Sequence, residues 1–210
     1  MTDITHAALM DRTYRYQRLI YDATRAWFLL GRDELIAHMD PPAGAHVLEI
    51  ACGTGRNLDH IARRYPDCTL YGLDISSQML RSAQAKLGGR AKLALGDACT
   101  FDPHALFGVG HFDRIILSYS LSMIPDWDAA LKRALDQLAP GGSLHIVDFG
   151  PQDRLPAWAR LGLNAWLARF HVCPRHDLPD RLMTLSHERG LGVRHQTLFR
   201  SYALHASVFR

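Results

Sequence analysis

The chain has 210 residues, 48% of them hydrophobic and 21% charged, with a formal net charge of +3. That length and apolar share suit one domain with a full core, and the small charge gives no reason to expect a nucleic-acid partner. No segment reaches about 18 consecutive apolar residues, which excludes a membrane-spanning helix.

The four cysteines, Cys52, Cys68, Cys99 and Cys173, stand singly, so neither a zinc site nor a disulfide framework is expected and a reducing compartment fits. The opening MTDITHAALMDRTYRYQ lacks the basic flank and apolar run of a secretory leader, so a cytoplasmic protein, at most peripheral on a membrane, is expected.

In chain order, YRYQRLIYDATRAWFLLGRDELIAHMD reads as an aromatic-rich helix, followed by a short apolar strand, HVLEIA. A glycine turn then opens a helix at about Arg56 that stops at Pro66. TLYGLD is the second strand and SSQMLRSAQAKL the next helix. AKLALGDA and FDRIILSYS read as strands three and four, DWDAALKRALDQL as a helix, and PGGSLHIVDF as a turn feeding strand five. This alternation predicts a parallel sheet with helices on both faces. LPAWARLGLNAWLARFHV is a further aromatic-rich helix, and GVRHQTLFRSYALHASVFR reads as an antiparallel hairpin turning near Arg200 and Ser201. From Pro151 to Arg210, nine arginines face four acidic residues; this suits anionic lipid or an acidic substrate, or is ordinary solvated arginine.

The stretch LEIACGTGRNLDHIARRYPDCTLYGLDIS holds the candidate ligand site. Gly53 and Gly55, between a strand and a helix, let the backbone approach a ligand, and Asp74, nineteen residues after Gly55, ends the next strand where a carboxylate accepts ribose hydroxyls. A dinucleotide fingerprint wants a third glycine where this chain has Leu58, so a cofactor without a pyrophosphate fits better.

With VLEIACGTG, GLDIS, GDA at Gly96 to Ala98, FDRIILSYSL and LAPGGSLHIVDF in this order, the sequence resembles the class I S-adenosylmethionine-dependent methyltransferases. The resemblance implies a Rossmann-like α/β fold: a seven-stranded, mostly parallel sheet with an antiparallel C-terminal hairpin, an N-terminal helical cap and an amphipathic helix inserted after strand five. One domain over residues 1–210 is expected, with the cap over 1–43, the cofactor-binding core over 44–150, a basic amphipathic segment over 151–190 and the hairpin over 191–210. The implied cofactor is S-adenosylmethionine, with S-adenosylhomocysteine as product and no metal. By resemblance, Glu49 with Ala51 and Asn57 orders the loop around the methionine moiety, Gly53 and Gly55 make room, Asp74 and Ile75 hold the ribose, and Asp97 and Ala98 read the adenine. Tyr21, Arg32 and Ser118 complete that expected set.

The phrases YDATRAWFLLGRDELI, LSYSLSMIPDW and VDFGPQDRLPAW with WLARFHVCPR resemble, more narrowly, the diacylglyceryl-homoserine N-methyltransferases of betaine-lipid synthesis. SYSLSMI after strand four lacks the Asn/Asp-Pro-Pro-aromatic pattern of DNA adenine methyltransferases, which argues against a base substrate. The narrower resemblance implies a lipid acceptor at a membrane surface and an upstream 3-amino-3-carboxypropyl transferase. Loss of the amine proton makes Tyr119, Asp148 and His171 candidate catalytic groups; capping a turn is the rival role for Asp148, and packing for His171. Tyr14, Tyr16, Tyr21, Trp27 and Trp127 are candidates for binding the growing cation, Arg25 and Arg32 for a carboxylate of the cofactor or of the head group, and Arg175 is a further substrate-binding candidate. Phosphatidylethanolamine N-methylation, methylation of a soluble small molecule, and cofactor binding without catalysis remain as alternatives.

Overall fold

The structure, a computed structural model, describes residues 29–170 and 172–210. Its chain alternates β1 (His46–Ile50), β2 (Thr69–Asp74), β3 (Ala91–Leu95), β4 (Phe112–Ser118) and β5 (Leu138–Phe149) with helices, then closes with β6 (Gly192–Leu198) and β7 (Ala203–Phe209). The described helices are α1 (Arg32–Ala37), α2 (Arg56–Arg64), α3 (Ser77–Leu87), α4 (Pro103–Phe107), α5 (Trp127–Asp136), α6 (Ala157–Ala168) and α7 (Leu178–Arg189). One sheet runs in the order β3-β2-β1-β4-β5-β7-β6. β1 to β5 are mutually parallel, and β7 pairs antiparallel with both β5 and β6. The seven-stranded sheet expected from the sequence is the one observed, hairpin included, while most of the expected N-terminal cap lies outside the described residues.

Strands buried on both faces need continuous apolar residues, and Val47, Leu48 and Ile50 of β1 are fully buried. One core layer packs Leu178, Leu182 and Leu185 of α7 with Leu131 and Leu135 of α5 beneath the sheet. The other packs α1, α2, α3 and α6 through Ile36, Ile61, Ala83 and Leu167. Helix starts carry their own caps: Ser76 accepts from Met79 N, Asp102 from His104 N, and Asp126 from Ala129 N. The turn between β6 and β7 places Phe199, Arg200 and Ser201 at positive φ.

Three elements depart from the sequence reading. Gly31 at φ 83 precedes α1, so the helical run does not continue unbroken through the glycine to Met39. The single turn α4 and the twelve-residue α7 were not expected. α7 has weak periodicity and a proline in its first turn; its start is written only in Asp177-Leu178-Pro179, where proline costs no hydrogen bond.

The missing third glycine has a compensating one. Leu58 is fully buried, and a Cβ on Gly72 of β2 would lie 2.8 Å from Leu58 Cδ1, 2.7 Å from Leu93 Cδ2 and 2.9 Å from Cys52 Sγ. The close approach of helix and strand that a helical glycine usually grants is here granted by the strand. Gly72→Ala is therefore expected to overpack this seam and lower unfolding free energy by roughly 1–3 kcal/mol, as read from urea denaturation with an unchanged m-value.

Candidate active site

The sheet order reverses between β1 and β4, and a crevice opens at the carboxyl ends of the strands at such a point. The β1–α2 turn there places Ala51, Gly53 and Gly55 at φ 57, 55 and 74. Asp74 holds this turn from the neighbouring strand: its Oδ2 accepts the Gly53 N–H at 2.7 Å and its Oδ1 the Ser76 N–H at 2.8 Å. Cys52 N–H donates to Leu73 O at 2.9 Å, continuing the β1–β2 pairing one step into the turn.

The two glycines do different work. A Cβ on Gly53 would meet nothing within 4 Å, whereas one on Gly55 would lie 3.0 Å from Leu87 Cδ1 and 3.1 Å from Ala83 Cβ on α3. Gly53 thus leaves ligand-side space, while Gly55 lets α2 seat against α3.

A cavity of about 200 Å³ lies beside the turn, lined by Ala51, Asp74, Ile75, Asp97 and Ala98, all expected from the sequence. Its other wall is Cys99, Ile124, Pro125 and Asp126. Those residues were not singled out, although the last three stand inside LSYSLSMIPDW; their signal was present as a phrase but not as a chemistry. Asp97 Oδ1 accepts the Cys99 N–H at 2.8 Å, which shapes the adenine-side turn.

At the far side of the turn, Glu49 is buried and accepts from Asn57 Nδ2 at 2.7 Å through Oε1. Its Oε2 is buried without a hydrogen-bond partner among the described residues. Burial pushes the Glu49 carboxyl up from 4.5 to about 8, with Asn57 and Arg32 partly opposing and Asp74 adding to the rise. Arg32 donates to Leu29 O at 3.0 Å, and burial with the charge of Arg56 lowers its guanidinium to about 10. Arg56 in turn pairs with Asp33 at 2.7 Å. An orphaned acceptor, an open glycine path and a cavity between two carboxylate-bearing turns fit a ligand with a cationic end, a ribose and a base.

Tyr119, at φ 52, is buried; its hydroxyl donates to Leu30 O at 2.7 Å and its ring meets Phe149 edge-on at 4.8 Å. Phe149 contacts Tyr202 at 5.9 Å. Burial, with Tyr202 and Asp148 nearby, raises the Tyr119 phenol well above its ordinary value. Asp148 is fully buried and accepts the backbone N–H groups of Ser122 at 3.1 Å and Phe149 at 2.8 Å, while burial raises its carboxyl. Ser118 ends β4 with its hydroxyl buried and without a partner among the described residues. Phe149 and Tyr202 were not anticipated; each sits at a strand end next to an expected residue.

Arg175 spends its donors on Leu121 O (3.0 Å) and Ile124 O (2.8 Å) and lies 5.9 Å from the Trp127 ring centroid. These two expected substrate-binding residues are brought together, clamping the loop that walls the cavity. Tyr14, Tyr16, Tyr21, Arg25, Trp27 and His171 lie outside the described residues.

The family described as "Methyltransferase domain" matches residues 47–142. The demethylmenaquinone methyltransferase of Thermobifida fusca is 31% identical over 181 residues, covering 79% of this chain and 72% of the relative. The chain belongs to the class I S-adenosylmethionine-dependent methyltransferases. The trans-aconitate 2-methyltransferase of Methylobacterium radiotolerans is 37% identical over 113 residues, 54% of this chain and 41% of that protein. This methyltransferase therefore spans under half the length of that relative, and 51% of the nocamycin O-methyltransferase of Saccharothrix syringae, which is 33% identical. In structure it is similar to the plantazolicin methyltransferase BpumL solved with a triazolic desmethylPZN analogue and SAH, at a TM-score of 0.75 and 17% identity over 98% of this chain and 95% of that one. At that identity the likeness is one of fold. None of these names a betaine-lipid enzyme, so the narrower resemblance of the flanking phrases stands without support from them.

Glu49 offers a pH test. Its folded-state value lies above its unfolded one, so its contribution to stability is complete below about pH 4.5 and is lost as pH rises to about 8. In the ligand-free protein, Glu49→Gln is expected to gain stability relative to the parent across that window and to hold a constant margin above it, measured by thermal unfolding from pH 4 to pH 9.

Proposed function

We propose that the protein transfers methyl groups from S-adenosylmethionine to the amine of diacylglyceryl-homoserine, in three rounds that end in the trimethylated betaine lipid. The observation that carries this reading is the run of edge-on aromatic rings Tyr119, Phe149 and Tyr202 at the carboxyl edge of the sheet, close to the buried carboxylate of Asp148. Aromatic faces accept a permanent cation that can donate no hydrogen bond. The flanking phrases around these rings are those that resemble betaine-lipid methyltransferases, and the upstream donor of the homoserine headgroup would be a 3-amino-3-carboxypropyl transferase.

Asp74 would hold the cofactor ribose, Asp97 with the Ala98 backbone the adenine edge, and Glu49 with Arg32 the charged methionine end, while Gly53 leaves the path open. When bound, the cofactor supplies an electrophilic methyl group on sulfur. The chain's share of the work is alignment and exclusion of water, because a neutral amine needs only a free lone pair and an in-line approach. Asp148 orders the Ser122 turn, its two oxygens accepting the Ser122 and Phe149 backbone N–H groups. Tyr119 acts through position: its hydroxyl already donates to Leu30, fixing the segment that leads into α1.

A second reading is O-methylation of a carboxylate. It is favoured by the trans-aconitate relatives and by the Arg32 and Arg56 charges near Glu49. Parallel mass-spectrometric assays with labelled S-adenosylmethionine separate them, offering micellar diacylglyceryl-homoserine, phosphatidylethanolamine and soluble trans-aconitate. Gains of one, two and three methyl groups on the homoserine lipid alone are expected. Product only on trans-aconitate, or only on phosphatidylethanolamine, would overturn the acceptor while keeping the class.

Tyr119→Phe tests the assigned role of the phenol. Loss of one hydrogen bond should cost about 1 kcal/mol of stability and lower kcat by less than about tenfold. A fall of about 10²–10⁴ would instead make Tyr119 the proton acceptor.

A further inference from the structure

The inner side of α6 packs on the core through Leu163, Trp166 and Leu167. Its outer side is also apolar: Trp158 is 78% exposed and Leu161 69%, with exposed Ala165 and Ala168 continuing the same row at helical spacing. An exposed apolar row on a helix whose other side is already packed marks a contact. Arginines flank the row. Arg154, Arg160 and Arg169 are exposed, and Arg160 and Arg169 have no side-chain partner among the described residues. Asp153 is the sole acidic residue between Pro151 and His176.

We infer that the outer face of α6 is an anchor that lies in the headgroup region of an anionic membrane, with Trp158 and Leu161 inserted and Arg154, Arg160 and Arg169 on lipid phosphates. Twelve residues make a helix about 18 Å long, too short to cross a hydrocarbon core of about 30 Å, so the helix lies in the plane of the interface. Unpaired arginines beside an exposed tryptophan select this occupant over a second copy of the chain, whose identical arginines would repel. The inference deepens the lipid-acceptor reading by naming the surface from which the acceptor arrives. It rests on α6 alone, so binding to vesicles and transfer to lipid fail separately.

The test is flotation of the full chain with phosphatidylcholine vesicles, with and without about a third phosphatidylglycerol, at low and moderate salt. Binding to the anionic vesicles is expected, falling at least tenfold in the double variant Trp158→Glu, Leu161→Glu. Arg160→Glu with Arg169→Glu is expected to lose roughly tenfold on anionic vesicles and little on neutral ones. Circular dichroism and S-adenosylhomocysteine affinity, unchanged in all variants, show that the fold and the cofactor site survive. Failure to float with either vesicle, or flotation indifferent to the Trp158 and Leu161 changes, overturns the anchor. So does light scattering that shows a dimer dissolved by those same changes in a chain that ignores vesicles.

Discussion

The carboxylate of Asp74 is the tie on which the ligand cleft depends. It sits at the end of β2 yet fixes the turn after β1, through Gly53, and the start of α3, through Ser76. Ala51 is the awkward member of that turn, since a side chain at φ 57 carries a cost of about 1–2 kcal/mol that a glycine avoids. The Cys52 and Gly53 amides, both satisfied from β2, offset that strain and hold the turn open beside the cavity. The residue proposed to hold the ribose is thus also the one that holds the turn.

Much of this was legible in the sequence because strand order follows from chemistry that repeats. Buried parallel strands must be continuously apolar, and HVLEI, TLYGLD and FDRIILS say so directly. The turn that Gly53 and Asp74 build was legible because a positive-φ turn between strand and helix calls for glycine, and a carboxylate at the next strand's end stood out by its spacing. What was hidden depends on contacts between distant segments. Leu58 read as a missing glycine, when Gly72 across the seam supplies the space. Arg175 read as a substrate-binding residue, and its contacts to the carbonyls of Leu121 and Ile124 could not be seen in the sequence. α7 gave little pattern because its buried Leu178, Leu182 and Leu185 alternate with Met183 and polar residues that blur the stripe.

The electrostatics of the crevice point one way. Glu49 and Asp148 are both buried and both raised, and Arg32 is lowered, so the region resists charge of either sign. Burial is the largest cause of each shift, so these groups are kept from water rather than set out as a strong base, and the polar atoms of Asp148 and Tyr119 point mainly at the backbone.

Acceptor choice must then reside away from the parts the relatives share. The family match covers residues 47–142, which include Asp74, Asp97 and the Ile124–Asp126 wall but neither α1 nor α6. Methyltransferases with differently named acceptors are similar to this chain, so membership of the family does not choose among them. Tyr119 bridges the two regions: it sits in the core, but its hydroxyl holds Leu30, ahead of α1. Phe149 and Tyr202 both stand outside the matched segment, on the edge where the hairpin joins β5. Substitutions at Asp74 and Asp97 are therefore expected to act on cofactor affinity, and changes of acceptor to come from Tyr119, Phe149 and Tyr202 and the helices that border them.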